Sequence, residues 1–153
     1  MKIVAIFEGR LYAVHYDEAV LNELGRVLEQ WNDVAYLSDF FAAQEADWPP
    51  GKDLVVLVEQ ALNDVERLEQ KIQRLFDDPR YSLDQFFAPL VNSETVPILL
   101  SFRKRRANCL RLYALRVEES CFVITGGTIK LTHLMAERPH TQYELAKLQK
   151  VRD

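Results

Sequence analysis

The apolar positions at the start of the chain predict a β-hairpin. Residues 3–7 and 11–16 are short runs rich in apolar and aromatic side chains, and Glu8-Gly9-Arg10 lies between them. Two β-prone runs joined by a turn that contains glycine are typical of antiparallel strand pairs. We therefore expect the chain to start with two antiparallel strands.

Helical spacing replaces the strand pattern after residue 16. Asp17 is a suitable N-cap, and apolar residues then recur every three or four positions as far as Trp31. A second helical pattern runs from Val34 to about Ala46 and stops before Trp48-Pro49-Pro50-Gly51, because proline breaks a helix interior. The two patterns predict two consecutive helices.

A heptad pattern predicts one long helix over residues 54–76. Its apolar residues are separated alternately by four and three positions, and they are Leu54, Val58, Ala61, Val65, Leu68, Ile72 and Leu75. Such a seam packs one helix against another. Two arrangements satisfy it: packing against a neighbouring helix of the same chain, or a homodimer through the 54–76 helix.

A short helix and then strands are predicted after the long helix. Ser82 and Gln85 form a capping-box pattern for a helix through Phe86 and Phe87. Three runs rich in branched and apolar residues follow, at 96–102, 109–117 and 121–125. These runs predict an antiparallel meander.

The last part of the chain predicts a bulge and a final helix. Gly126-Gly127 indicates a bend or bulge before a strand extension at 128–132. Thr141 and Glu144 follow Pro139 and form a capping box for a C-terminal helix. The expected fold class is α+β, with an N-terminal hairpin and a C-terminal meander in one antiparallel sheet, packed with N-terminal helices and a C-terminal helix.

Composition and charge refine this picture. Of the 153 residues, 48% are apolar and 27% are charged, as expected for a soluble globular protein with a single domain over 1–153. Residues 1–100 contain 8 basic and 18 acidic side chains, whereas residues 101–153 contain 11 basic and 5 acidic ones. An acidic helical part at about 17–88 thus precedes a basic sheet-and-helix part at about 95–153. This asymmetry indicates either a surface for a polyanion or a basic part packed beside an acidic one.

The sequence contains none of the common targeting or cofactor motifs. No apolar run is long enough to cross a bilayer, and the N-terminal residues lack a signal-peptide pattern, so we expect a cytoplasmic protein without membrane contact. Gly-rich phosphate loops, GxSxG and HExxH are missing. Cys109, Cys121 and the histidines are not spaced as metal ligands. We therefore expect neither a metal nor a cofactor.

Basic residues of the C-terminal part carry the candidate chemistry. Four consecutive cations are Arg103, Lys104, Arg105 and Arg106. They form either a contact for a phosphate backbone or a solvated turn. Arg111 and Arg116 interrupt an otherwise apolar strand, where an arginine requires a carboxylate, a phosphate or an open groove.

Five further polar residues surround the predicted end of the sheet: Lys130, Thr132, His133, Arg138 and His140. Cations beside a titratable imidazole are able to stabilise a phosphorane-like transition state and to move protons during RNA cleavage. The alternative is that each is an ordinary surface residue.

The basic part also shows a succession of short motifs. Leu110–Arg116 is followed by Phe122–Gly127, then by Ile129–Thr132, and finally by Pro139 and a charged helix. This succession resembles the C-terminal half of RelE/HigB-type toxins (the RelE/ParE superfamily) of bacterial type II toxin–antitoxin systems. The resemblance is confined mainly to residues 108–153.

The resemblance implies a fold and a function. Members of the family have a small antiparallel sheet packed with an N-terminal helical pair and a C-terminal helix. They cleave messenger RNA on the ribosome without a metal, by driving a ribose hydroxyl onto its own phosphate, and an antitoxin neutralises them. In this sequence Arg111 and Lys130 match phosphate-binding positions, and His133 is the candidate for proton transfer. Arg138 and the run Arg103–Arg106 are candidate RNA contacts.

Two functions from different classes are therefore expected. The first is a ribosome-associated messenger RNA endonuclease with an antitoxin partner. The alternative is a non-catalytic interaction module of the same fold that uses its acidic helices and the heptad seam.

Overall fold

The computed structural model of the protein describes residues 1–84, 87–89, 98–102 and 109–131. The helices are α1 (Glu23–Trp31), α2 (Val34–Ala43) and α3 (Leu54–Asp77), and a short 3-10 turn (Glu45–Asp47) follows α2. The strands are β1 (Lys2–Phe7), β2 (Leu11–His15), β3 (Phe87–Pro89), β4 (Ile98–Phe102), β5 (Leu110–Glu118) and β6 (Cys121–Ile129). The α+β class is thereby confirmed.

The strands form one mixed sheet in the order β1-β2-β6-β5-β4-β3. Its neighbouring strands are antiparallel except for β2 and β6, which run parallel with Leu11 opposite Phe122 and Ala13 opposite Ile124. The prediction of a purely antiparallel sheet is therefore wrong at the β2–β6 pair. Parallel neighbours need a long connection, and the helices and strands between β2 and β6 provide it.

The N-terminal hairpin is confirmed. β1 pairs with β2 from Lys2–His15 to Phe7–Leu11. Gly9 lies in the turn with a φ of +84°, a left-handed conformation that favours glycine. The amide of Arg10 closes the turn by donating to the carbonyl of Phe7 at 3.0 Å.

Helix α1 begins later than the sequence predicts. Its N-cap is Asn22, whose side-chain oxygen accepts a hydrogen bond from the amide of Gly25 at 2.9 Å. Asp17, the predicted cap, instead contacts the N-terminal amino group. Glu18 has a φ of +68°, which a right-handed helix excludes. The segment before Asn22 is therefore a loop, and Val20 is exposed rather than part of the helical apolar face.

The other two helices agree closely with the predicted ranges. Asp33 caps α2 and Asp53 caps α3, each accepting a hydrogen bond from a backbone amide of the first turn at 3.1 and 2.9 Å. The 24 residues of α3 include all the positions of the predicted seam. Capping by aspartate satisfies amides that have no intrahelical acceptor.

The heptad seam of α3 is buried inside the chain itself. Six of its seven residues are buried, and Leu54 is partly buried and packed against the same core. This core also contains Leu24, Trp31 and Phe41 from α1 and α2 and Leu112 from β5. The seam therefore packs within the chain, which is the first of the two expected arrangements. A homodimer through the 54–76 helix stays a prediction, and the buried seam side chains cannot form its contact.

One residue of the predicted short helix lies in a strand, and Gln85 and Phe86 lie outside the described residues. Phe87, placed in a short helix by the capping-box pattern, lies in β3 opposite Phe102. The hydroxyl of Ser82 donates to the carboxylate of Asp84 at 2.7 Å and accepts from its amide at 3.1 Å. Ser82 thus closes a tight local turn at Asp84. The basic run 103–106 and the C-terminal helix predicted from Thr141 lie outside the described residues.

The predicted bulge is present on β6. Tyr113 pairs with Gly126 and Ala114 pairs with Ile124, so Thr125 is the additional residue. β6 then continues without interruption to Ile129, which makes the predicted extension at 128–132 part of this strand as far as Ile129. All nine residues of β6 are buried, as expected of a central strand covered on both faces.

Gly127 allows α1 to pack closely on β6. A Cβ atom at this position would lie 2.9 Å from the carbonyl oxygen of Arg111, and 3.0 Å from both Cη2 of Trp31 and Cγ1 of Val27. The backbone oxygen cannot move without disturbing the β5–β6 pair. The glycine is therefore required by close approach of the two layers.

Replacing Gly127 by alanine is expected to lower the free energy of unfolding by about 1–3 kcal/mol, the usual cost of overpacking a core. Urea unfolding followed by circular dichroism measures this loss. Gly25→Ala is the matched control, because a Cβ there would meet its nearest atom only at 3.6 Å. If the two variants are equally stable, Gly127 does not limit the packing distance.

No helix in the described ranges combines the length and the apolar character needed to span a bilayer.

Candidate functional site

Two of the predicted phosphate-binding residues lie at the same end of the β5–β6 pair. Arg111 on β5 is directly opposite Thr128 on β6. The amide of Lys130 donates to the carbonyl of Cys109 at 2.7 Å, which continues this register beyond the strand ends. Because side chains alternate along a strand, Arg111 and Lys130 belong to the same face of the pair. Both residues are partly exposed.

The Arg111 side chain folds back towards its own strand. Its Nη1 donates to the carbonyl of Leu110 at 2.9 Å. This contact uses a neutral acceptor and leaves the positive charge of the guanidinium in place. The arrangement holds one end of the side chain against the strand.

The pKa of the neighbouring Cys109 thiol depends on its burial and on the charges in this region. The pKa of its thiol is raised to about 12: burial is the largest cause, the carboxylate of Asp64 on α3 also raises the pKa, and the nearby Arg111 guanidinium lowers it. Cys109 is therefore a neutral thiol at physiological pH and not a nucleophile. Arg111 and Asp64 both lie close enough to this thiol to influence it.

The two cations at this end of the sheet have the chemistry to bind an anion. An arginine and a lysine on one face can hold a phosphate and stabilise negative charge that develops on it. Among the residues that the structure describes, no group of histidine, cysteine, aspartate and glutamate side chains could hold a metal ion.

The remaining predicted site residues lie outside the described residues. They are Arg103, Lys104, Arg105, Arg106, His133 and Arg138. The structure therefore brings Arg111 and Lys130 together, and the assignments of the other six stay predictions.

A buried ion pair on α1 was missed by sequence reasoning. Glu23 is only 2% exposed, and its carboxylate accepts hydrogen bonds from Nε and Nη2 of Arg26 at 2.7 and 3.2 Å. Arg26 also donates to the side chain of Gln30 at 3.0 Å and towards the carbonyl of Gly127 at 3.4 Å. The signal available in the sequence was the three-residue spacing of opposite charges on one helix.

A second polar cluster connects the loop that follows α3 with the turn between β5 and β6. The Asp84 carboxylate accepts hydrogen bonds from the hydroxyls of Ser82 and Ser120 at 2.7 and 2.8 Å. Burial alone would raise the pKa of Asp84, but these hydrogen bonds and the positive charge of Arg116 together lower it. Arg116 thus has a carboxylate nearby, which is one of the partners that its position in an apolar strand requires.

No protein-family model, curated protein or solved structure matches this chain.

Proposed function

We propose that the protein is a RelE/HigB-like toxin that binds messenger RNA on the ribosome and cleaves it without a metal. The observation that supports this function best is the position of Arg111 and Lys130 on one face at the end of β5 and β6. These are the two residues that match phosphate-binding positions of the family. An antitoxin is the protein partner that this function requires.

The charge distribution supports the same proposal. Residues 101–153 carry 11 basic and 5 acidic side chains, and Arg111 and Lys130 belong to this part. Phosphate groups attract such a surface, and binding releases the counterions of the RNA. The acidic side chains are concentrated on the helices, which pack against the sheet.

In the proposed reaction a ribose 2′-hydroxyl attacks the adjacent phosphorus, and the bond to the 5′-oxygen breaks. The products are a 2′,3′-cyclic phosphate and a free 5′-hydroxyl. One proton leaves the attacking hydroxyl and one reaches the leaving oxygen, and His133 is the group proposed to move them. Arg111 and Lys130 stabilise the charge on the pentavalent phosphorus.

The alternative function is a non-catalytic interaction module. The acidic helices favour it, since 16 of the acidic side chains lie between residues 17 and 84. In that case the protein would bind a partner while leaving RNA intact. Inducible expression separates the two functions: arrested growth with cleaved messenger RNA supports the toxin, whereas normal growth with folded protein and intact messenger RNA contradicts it.

Removing both cations is expected to weaken RNA binding and to reduce its salt dependence. With Arg111→Ala and Lys130→Ala combined, two phosphate contacts are lost, so the slope of log K against log salt should become shallower by about 1.4 for single-stranded RNA. Fluorescence anisotropy with a labelled RNA oligonucleotide at several salt concentrations measures the slope.

The matched control is a variant that also removes two positive charges, one arginine and one lysine, from elsewhere. Lys52→Ala with Arg80→Ala changes the net charge equally, and both residues lie in the loops that flank α3. An equal change of slope in both double variants would mean that RNA senses only the total charge, and the proposed site would then be wrong.

A further inference from the structure

In the part of the chain that the structure describes, strand β1 has one edge without a partner strand. It occupies the end of the sheet, and in the described ranges only β2 pairs with it. Lys2, Ile3 and Ala5 are exposed, with Ile3 at 56%. A free edge offers a row of backbone amides and carbonyls to an incoming strand.

The helix-facing side of β1 continues as an apolar strip onto α3. Val4, Ile6 and Phe7 pack against the core but are only partly buried. Phe76 in the last turn of α3 stacks on Phe7 with ring centroids 4.8 Å apart at an angle of 58°. Phe76 is still 48% exposed. These four side chains form an apolar strip between the open edge and the helix end.

A positive charge stands at each end of this strip. Alternation places Lys2 on the same side of β1 as Val4. At the other end, the Arg10 guanidinium lies 5.4 Å from the centre of the Phe7 ring, and its Nη1 donates to the carbonyl of Leu75 at 3.2 Å. Among the described residues, neither Lys2 nor Arg10 has a carboxylate within ion-pair distance.

The acidic residue in the turn of the hairpin, Glu8, is hydrogen-bonded on the other side of the hairpin. Glu8 accepts a hydrogen bond from the hydroxyl of Tyr12 at 3.3 Å. Tyr12 is opposite Ala5, so it belongs to the other side of the hairpin. On this side of the hairpin Lys2 and Arg10 lie at the two ends of the strip, and carboxylates of a partner segment would complement these two cations.

We propose that this β1 edge surface, formed by Lys2, Val4, Ile6, Phe7, Arg10 and Phe76, binds an extended acidic segment of a partner protein. The segment adds a strand to the free edge of β1. Its apolar side chains cover the strip, and carboxylates at its two ends pair with Lys2 and Arg10. Backbone hydrogen bonds supply affinity in this mode, and the alternating side chains supply specificity.

A second copy of the chain complements this surface poorly. If two β1 strands paired antiparallel, Lys2 of each copy would approach the Phe7–Arg10 end of the other. Like charges would then meet at both ends of the pair, which destabilises cross-strand pairing. A partner with acidic ends avoids this repulsion.

This inference is independent of the proposed RNA function. Strands β2 and β6 separate β1 from β5, so the β1 edge surface lies about 14 Å across the sheet from β5, three strand spacings away. A partner bound at β1 pairs with a different strand from the one that carries Arg111. A failure of the protein to bind RNA would therefore leave open whether a partner binds the β1 edge.

The test uses the full chain and a fluorescent synthetic peptide. In this peptide valine and isoleucine alternate with threonine, and glutamates stand at both ends. One comparison peptide has lysines at the ends, and another has proline in place of the threonines, which removes backbone donors. Anisotropy is expected to show saturable binding of the glutamate peptide and at least about tenfold weaker binding of both comparison peptides.

Protein variants locate the site. Phe76→Ala is expected to weaken binding of the glutamate peptide by at least about tenfold, and Lys2→Glu is expected to weaken it more at low salt than at high salt. The matched controls are Val55→Ala, an exposed apolar residue of the same helix, and Lys52→Glu, and both should bind like the unchanged chain. Circular dichroism confirms that each variant is folded.

Several outcomes would overturn the proposal. Absence of saturable binding would do so, as would equal binding of the lysine or proline peptide. Displacement of the peptide by an RNA oligonucleotide would show that the surface serves nucleic acid instead. Concentration-dependent dimers that Phe76→Ala abolishes would show that a second copy occupies the surface.

Discussion

Replacing Val65 by aspartate is expected to unfold the chain. Val65 is the central residue of the α3 seam and is 0% exposed. A carboxylate there would be desolvated among apolar side chains of the core. The expected loss is about 5 kcal/mol or more, which is comparable with the whole stability of an ordinary domain. Circular dichroism and urea unfolding should show loss of the cooperative transition at neutral pH.

The exposed face of the same helix provides the control. Val55 is 64% exposed in the first turn of α3, where a carboxylate is compatible with the helix dipole. Val55→Asp should therefore keep the fold and unfold near the unchanged chain. A folded, monomeric Val65→Asp variant would contradict the burial of the seam inside the chain, because only a dimer contact can be lost without unfolding.

The long helix was the element that the sequence predicted best, whereas the surface that covers its apolar face was the least predictable. Seven apolar positions at alternating spacings of four and three determine a helix and its apolar face by local geometry. They do not determine what covers that face, because a second copy and the chain's own sheet offer the same apolar surface. The structure resolves the choice by placing Val65 among residues of α1, α2 and β5.

The other differences between the predicted and the observed fold also arise from contacts between residues that are distant in the sequence. The hairpin and the meander follow from short-range pattern and were predicted, whereas the parallel pairing of β2 with β6 joins residues more than a hundred positions apart. The start of α1 depended on competition between two suitable caps. Asn22 caps α1, and Asp17 contacts the chain terminus instead, a contact that helix propensity does not encode.

The sequence predicted the candidate site only where a short connection between two strands fixes their register. Arg111 and Lys130 face the same side because a tight turn fixes the pairing of β5 with β6. The Glu23–Arg26 pair was not predicted as a buried group, since a three-residue spacing of charges is usual on exposed helices too. Its burial depends on how α1 packs in the folded chain, which charge spacing does not encode.

Removing the Arg26 side chain is expected to cost about 3 kcal/mol of stability. The Glu23 carboxylate is buried, and it accepts two hydrogen bonds from the Arg26 guanidinium. Breaking a buried pair from one side leaves an uncompensated charge, which costs about 3–5 kcal/mol. Arg26 itself is partly exposed, so water reaches the vacated position and the loss lies at the lower end of this range.

Urea unfolding of Arg26→Ala, Glu23→Gln and the double variant measures this effect as a thermodynamic cycle. The double variant should be more stable than Arg26→Ala alone, because it has no buried charge left without its partner. Arg67→Ala is the matched control, since its exposed guanidinium lies 3.7 Å from Asp64 and such pairs contribute less than about 1 kcal/mol. If Arg26→Ala and Arg67→Ala lose equal stability, the burial of Glu23 does not govern the strength of its ion pair. A large loss confined to Arg26 would instead make this pair a principal link between α1 and the sheet end beside Arg111.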